Sequence, residues 1–154
     1  MTTLTLHSRL DRLVTEPAPP LPARRRFHRD LHAPKAARTF TADTLARHGI
    51  ASDVIDTAVL LVDEMVTNAA LYAGRGHITV EITVNDKQIR VAVTDAGRAR
   101  ADAAMNTEFD EMSESGRGWF IVAALAADCG IERLGGGNGN RVYFVLDRDP
   151  GGAS

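Results

Sequence analysis

The chain has one cysteine, Cys129, in 154 residues. A lone thiol cannot close an internal disulfide, and no Cys or His partner stands at metal-ligand spacing from it. Cys129 therefore reads as a small core residue, suited to a reducing cytoplasm. Long hydrophobic runs are also missing. A membrane-spanning helix needs about 18 apolar residues, and no run here approaches that length; the one within residues 58–62 stops at Asp63 and Glu64. A soluble, cytoplasmic protein is expected. Charge of one sign is lacking too: the net charge is −2 and 25% of residues are charged, so neither the broad basic footprint of a nucleic-acid binder nor a polybasic membrane anchor is present. The one basic cluster, Arg24 to Arg26, is followed by Phe27, His28, Arg29 and Asp30. A twin-arginine export signal would place an apolar stretch there, so no export is expected.

Several catalytic motifs are absent as well. There is no G-x-x-x-x-G-K-[ST] phosphate loop, the stretch GRGWFI lacks the third glycine of a dinucleotide fingerprint, and no Gly-x-Ser-x-Gly elbow or Cys/His pairing offers hydrolase chemistry. No long repeat divides the chain. Its length suits one domain with a substantial core.

What is present is a run of recognisable elements. Residues 1–24 carry Pro17, Pro19, Pro20 and Pro22 and predict a flexible arm, with Leu4 and Leu6 as a brief alternation. A domain over residues 25–150 and a short tail, 151–154, follow. Pro34 at a first helical position and Arg47, His48 and Gly49 at the other end predict a helix over 34–48. Ser52 can cap the next, with Asp53 and Asp56 in its first turn and Gly74 past its end. The period then changes: Ile78, Val80, Ile82 and Val84 alternate, Asn85-Asp86 turns, and Ile89, Val91 and Val93 alternate again, predicting a hairpin. Residues 96–117 read as a loop holding a short helix with Met105, Phe109 and Met112 on one face. A helix over 118–127 and strands over 131–134 and 141–146, joined through the glycine-rich 135–139, complete the pattern. Helices clustered on such a sheet give an α+β fold, a two-layer α/β sandwich.

Three places could carry chemistry. Glu64 and Asn68 lie one turn apart on an otherwise apolar helix: an Asn oxygen suits Mg²⁺, and a carboxylate can deprotonate a nucleophile. The same polar stripe also suits a face turned to water. Asp95 closes a strand ahead of Ala96 and Gly97, where a carboxylate could accept an adenine N–H and a missing side chain would admit a planar base; a strand-ending Asp in a tight turn is the plainer alternative. Gly116-Arg117-Gly118 precedes a helix whose N-terminal N–H groups could meet phosphate, with Arg117 in support, or else forms a simple loop-to-helix junction.

In order, Glu64-x-x-x-Asn68, Asp95-x-Gly97 and Gly116-x-Gly118 give the chain its resemblance to the anti-sigma-factor serine kinases and related bacterial regulators of the GHKL superfamily, over residues 25–147. DTAVLLVDEMVTNAALYAG, VTDAG and GRGWFIVAALAADCGI resemble that family's three nucleotide motifs. The resemblance implies a histidine kinase-like ATPase fold with a mixed, mostly antiparallel sheet and a lid at residues 98–115. It implies ATP and Mg²⁺ as ligands, Glu64 as the base, Asn68 as the Mg²⁺ ligand, Asp95 as the adenine reader and Gly97 as the residue giving the ring access. Gly116, Arg117 and Gly118 would meet the phosphates. Partners implied are a sigma factor or a small antagonist protein phosphorylated on serine, controlling transcription by partner switching, and relatives often pair as homodimers. A non-catalytic ATP-binding module that captures a sigma factor is the alternative. The chain departs from the family pattern at Arg98-Ala99 where a further glycine is frequent, at Tyr72 where His is common, and at Arg141 near a position often held by Thr.

Overall fold

The computed structural model describes residues 20–72, 76–95, 114–135 and 139–149, with side chains left out at 71–72 and 114–119. The elements in chain order are β1 (Ala23–His28), α1 (Ala33–Arg47), α2 (Ser52–Tyr72), β2 (His77–Val84), β3 (Gln88–Asp95), α3 (Glu114–Leu125), β4 (Asp128–Arg133) and β5 (Asn140–Asp147). The strands form one sheet in the order β1-β2-β3-β5-β4. Every pairing among the described residues is antiparallel. The helices pack on one face, giving the expected α+β two-layer sandwich. No described helix is long and apolar enough to cross a membrane.

Alternation divides the sheet cleanly. Ile78, Val80 and Ile82 of β2, Ile89, Val91 and Val93 of β3, and Phe144 and Leu146 of β5 are buried against the helices. α2 answers with Val54, Ile55, Ala58, Leu61, Val62, Met65, Val66 and Ala69 at helical spacing, all buried. Each large aliphatic side chain withdrawn from water contributes about 1.5–3 kcal/mol before ordering costs. The other face of the sheet carries polar and charged side chains, among them Arg24, Thr79, Glu81, Arg90 and Arg141.

The sheet begins earlier than the proline-rich arm suggests. β1 is a sixth-residue repeat of the same alternation in basic disguise: Ala23 and Phe27 are buried, and between them the Arg25 guanidinium lies 5.1 Å from the centroid of the Phe40 ring on α1. Arginine stems cover apolar surface while their heads stay wet, so ARRRFH is amphipathic without looking so. As an edge strand it also keeps its open side charged, which discourages unwanted strand pairing.

α3 begins at Glu114, ahead of the expected start at residue 118, so Gly116, Arg117 and Gly118 lie inside its first turns and not in a loop before it. A glycine within a helix costs about 1 kcal/mol relative to alanine. Burial of Val122 and packing of Ile121 on the core offset that penalty and extend the helix backward.

Gly130 on β4 faces Tyr143 on β5, its register partner. A Cβ there would stand 2.8 Å from the Tyr143 Cε1 and hydroxyl oxygen, and the ring is already covered by the Arg90 guanidinium at 4.4 Å. Gly130→Ala is expected to destabilise the protein by about 1–2 kcal/mol, as overpacking does, and Tyr143→Ala should relieve most of that loss. Denaturant midpoints of the single and double variants check it.

Candidate functional site

Two sets of hydrogen bonds fix which ends of the layers lie together. Arg29, just past β1, donates from Nε to the Ala70 carbonyl late in α2 at 3.2 Å. His28 ends β1 opposite His77, which opens β2, and Thr79 lies opposite Thr94, next to Asp95 at the end of β3. The C-terminal half of α2 therefore sits over the end of the sheet that carries Asp95. At the far end Arg148, just past β5, donates to the His48 carbonyl after α1 and to the Asn85 carbonyl in the β2–β3 turn, at 3.1 Å each.

α3 runs the opposite way to α2. Its last residue, Leu125, lines one cavity with Ala126 and Ala127 and with Asp53, Val54 and Thr57 from the start of α2. Twelve helical residues span about 18 Å, and the two helices pack together. The first turn of α3, which holds the backbone of Gly116, Arg117 and Gly118, consequently reaches the level of Glu64 and Asn68. Its first four N–H groups have no partner within the helix.

Glu64 and Asn68 are each half-buried and, four residues apart, rise about 6 Å along α2. The neighbouring Asp63 is tied to α1 by Arg38, whose Nη1 lies 2.5 Å from the Asp63 Oδ1. Burial pushes the Glu64 carboxyl above the ordinary carboxylate range, and the negative charge of Asp63 pushes it the same way. A carboxyl whose pKa is raised on folding holds its proton longer in the native state than in the unfolded one. Its contribution to stability is thus present below the usual carboxylate pKa and is lost as pH rises through the raised value. Glu64→Gln should accordingly raise the melting temperature at pH 7–8, and the gain should shrink as the pH falls to about 4, a difference that thermal melts across pH would show.

Asp95 is buried, 6% exposed, and faces the helix layer in step with Ile89, Val91 and Val93. Its register partner is Asn140, 1% exposed. Asn140 is the site residue that sequence reasoning missed. The signal was available: Asn140 shares its alternation with Val142, Phe144 and Leu146, so a polar residue stands on an inward face. Arg141, near a position that the family often fills with Thr, points the other way. Its Nε lies 3.5 Å from the Thr94 Oγ1 and its Nη1 3.5 Å from Glu132 Oε2, on the open face of the sheet.

Four elements thus bring Glu64, Asn68, Asp95, Asn140 and the first turn of α3 to one end of the sandwich. Gly97, most of the lid at 98–115 and the Met105, Phe109 and Met112 stripe lie outside the described residues, as do 1–19 of the arm and the tail 151–154. Among the described residues, no three His, Cys, Asp or Glu side chains gather into a metal cage. An ion held by a single amide oxygen with phosphates and water suits Mg²⁺, which keeps much of its coordination outside the protein.

A family model described as the histidine kinase-like ATPase domain matches residues 27–146. Among solved structures, the chain is similar to the crystal structure of the RsbU and RsbW domains of Rv1364c from Mycobacterium tuberculosis, with a TM-score of 0.62 and 19% identity. That similarity covers 84% of this chain and 33% of the other, so this chain spans about a third of its length. At that identity the likeness is one of fold. None of the curated proteins matches.

Proposed function

The chain belongs to the histidine kinase-like ATPase domain family, and from that premise we propose that it binds Mg²⁺-ATP at the Asp95 end of the sandwich and transfers the γ-phosphoryl group to a serine of a partner protein. The observation that carries this reading is the convergence of a half-buried Glu64, an Asn68 one turn on, a buried Asp95 and the open N-terminus of α3 from three separate elements.

Each group has a task that its surroundings suit. The Asp95 carboxylate, held away from water, accepts the exocyclic N–H of adenine. Backbone N–H groups of the first α3 turn meet phosphate oxygens, where the helix dipole favours negative charge. Mg²⁺, when bound at Asn68, would neutralise phosphate charge. Glu64 accepts the proton of the attacking serine hydroxyl; the new O–P bond forms as the bond from the γ-phosphorus to the β-phosphate oxygen breaks, and ADP leaves. Phosphoryl transfer needs mainly such positioning and charge balance, and a base whose pKa is raised by burial and by Asp63 is a stronger proton acceptor than an ordinary carboxylate.

The regulatory half of the proposal is partner exchange: a sigma factor or a small antagonist protein is held or released according to the phosphorylation state of that serine. What supports this half is the RsbW domain of the solved fold neighbour. The test is incubation of the purified protein with γ-labelled Mg²⁺-ATP and serine-bearing antagonist proteins from the same genome. Labelled phosphoserine on one of them is expected. Nucleotide binding without transfer to any of them would remove the kinase reading and leave a nucleotide-dependent binding module.

A further inference from the structure

The open face of the sheet, opposite the helices, holds a feature that the nucleotide site does not use. One register row crosses four strands as Arg26, Thr79, Thr94 and Arg141. Adjacent strands lie about 4.8 Å apart, so the two arginine backbones stand roughly 14 Å from each other with two short threonines between them. The result is a trough with arginine walls and a hydroxyl floor, lined by these four residues together with Arg24 and Glu81.

Its charge is unbalanced. Glu81 is occupied by Arg24, whose Nε donates to it at 2.9 Å. Glu132 is shared between Arg90 at 3.2 Å and Arg141 at 3.5 Å. Arg26 meets no carboxylate among the described residues; its Nη2 lies 2.9 Å from the His77 Nδ1. Four guanidinia against two carboxylates leave an excess of two positive charges.

We propose that this trough binds a phosphomonoester dianion carried on a side chain of a partner protein. The Arg141 guanidinium, with its Nε beside Thr94, and the Arg26 guanidinium, beside His77, flank two hydroxyl donors and match the charge and the several acceptor oxygens of a phosphorylated serine or threonine. The trough opens along a flat sheet face, which admits a group presented from another protein's surface and leaves a free small anion largely exposed to water. The site is independent of the kinase reading, since Thr94 and the adjacent Asp95 face opposite sides of β3, and either one stands if the other fails.

The test uses the whole protein saturated with Mg²⁺-ATP, so that the nucleotide site is filled, and titrates in a phosphoserine peptide, its unphosphorylated form, inorganic phosphate and a short duplex DNA, followed by amide NMR. Saturable shifts at Thr79 and Thr94 with the phosphopeptide alone are expected. Arg26→Gln and Arg141→Thr should each weaken that binding about tenfold, while Mg²⁺-ATP affinity is unchanged, which also shows that the variants fold. Shifts of equal affinity with inorganic phosphate would overturn the partner-borne source. Binding of DNA without the phosphopeptide, absence of any shift, or phosphopeptide affinity untouched in both variants would overturn the site.

Discussion

Asp95→Ala is expected to weaken Mg²⁺-ATP binding at least about 100-fold, the largest effect on nucleotide affinity of any single side chain described. The carboxylate is 6% exposed, so the hydrogen bond that it would make to adenine is charged on one side and shielded from competing water. Such bonds contribute about 1.5–3 kcal/mol, and a donor of the base left buried without its acceptor adds a further cost; every 1.4 kcal/mol is tenfold in affinity. Two companions sharpen the measurement. Asp95→Asn keeps the volume and one acceptor oxygen, which preserves packing against Asn140 while removing the charge, and should fall between wild type and alanine. Arg141→Ala should leave ATP affinity within about twofold, because Arg141 lies on the opposite face of the sheet beside Thr94. Calorimetric titration of the three variants decides the matter. Affinity in Asp95→Ala equal to wild type would show that adenine is read elsewhere.

The contrast between Asp95 and Arg141 also shows where sequence was legible. Alternation in residues 77–84 and 89–94 located β2 and β3 almost to the residue, because a half-buried antiparallel strand must put every second side chain into the core. The same logic placed Glu64 and Asn68 on one face of α2. It failed at β1, where the Arg25 guanidinium lies over the Phe40 ring and three arginines conceal a strand anchored in the core by Ala23 and Phe27. It fails differently at α3: the glycines predict a helix boundary at residue 118, and tertiary packing of Val122 outweighs their poor propensity. Asn140 is inconspicuous in sequence beside the charged Arg141, yet a shift of one residue along a strand moves a side chain to the other face. Gly116, Arg117 and Gly118, expected at the junction before the helix, have a helical backbone. Convergence of the four elements could not be read from any local pattern, since it depends on α2 and α3 running in opposite directions.

Glu64→Ala should lower phosphoryl transfer by about 10²–10⁴-fold, the usual range for loss of a positioned general base, while ATP affinity stays within about twofold. The split distinguishes a base from a ligand of the nucleotide, since a residue that acts on the attacking hydroxyl lowers kcat without weakening ATP. The pH dependence gives a second, independent readout. Only the ionised carboxylate accepts a proton, so activity should climb with pH through the Glu64 pKa and level off above it. Burial and Asp63 both raise that pKa, placing the acid limb above the ordinary carboxylate range. The causes can be separated. Asp63→Asn removes the repelling charge and should move the limb toward lower pH. Arg38→Ala strips Asp63 of the guanidinium 2.5 Å away, leaves its field on Glu64 less compensated, and should move the limb toward higher pH. A limb that stays at one pH in both variants would mean that another group titrates. Wild-type turnover in Glu64→Ala would show that Glu64 is not the base and that another group accepts the proton of the attacking hydroxyl.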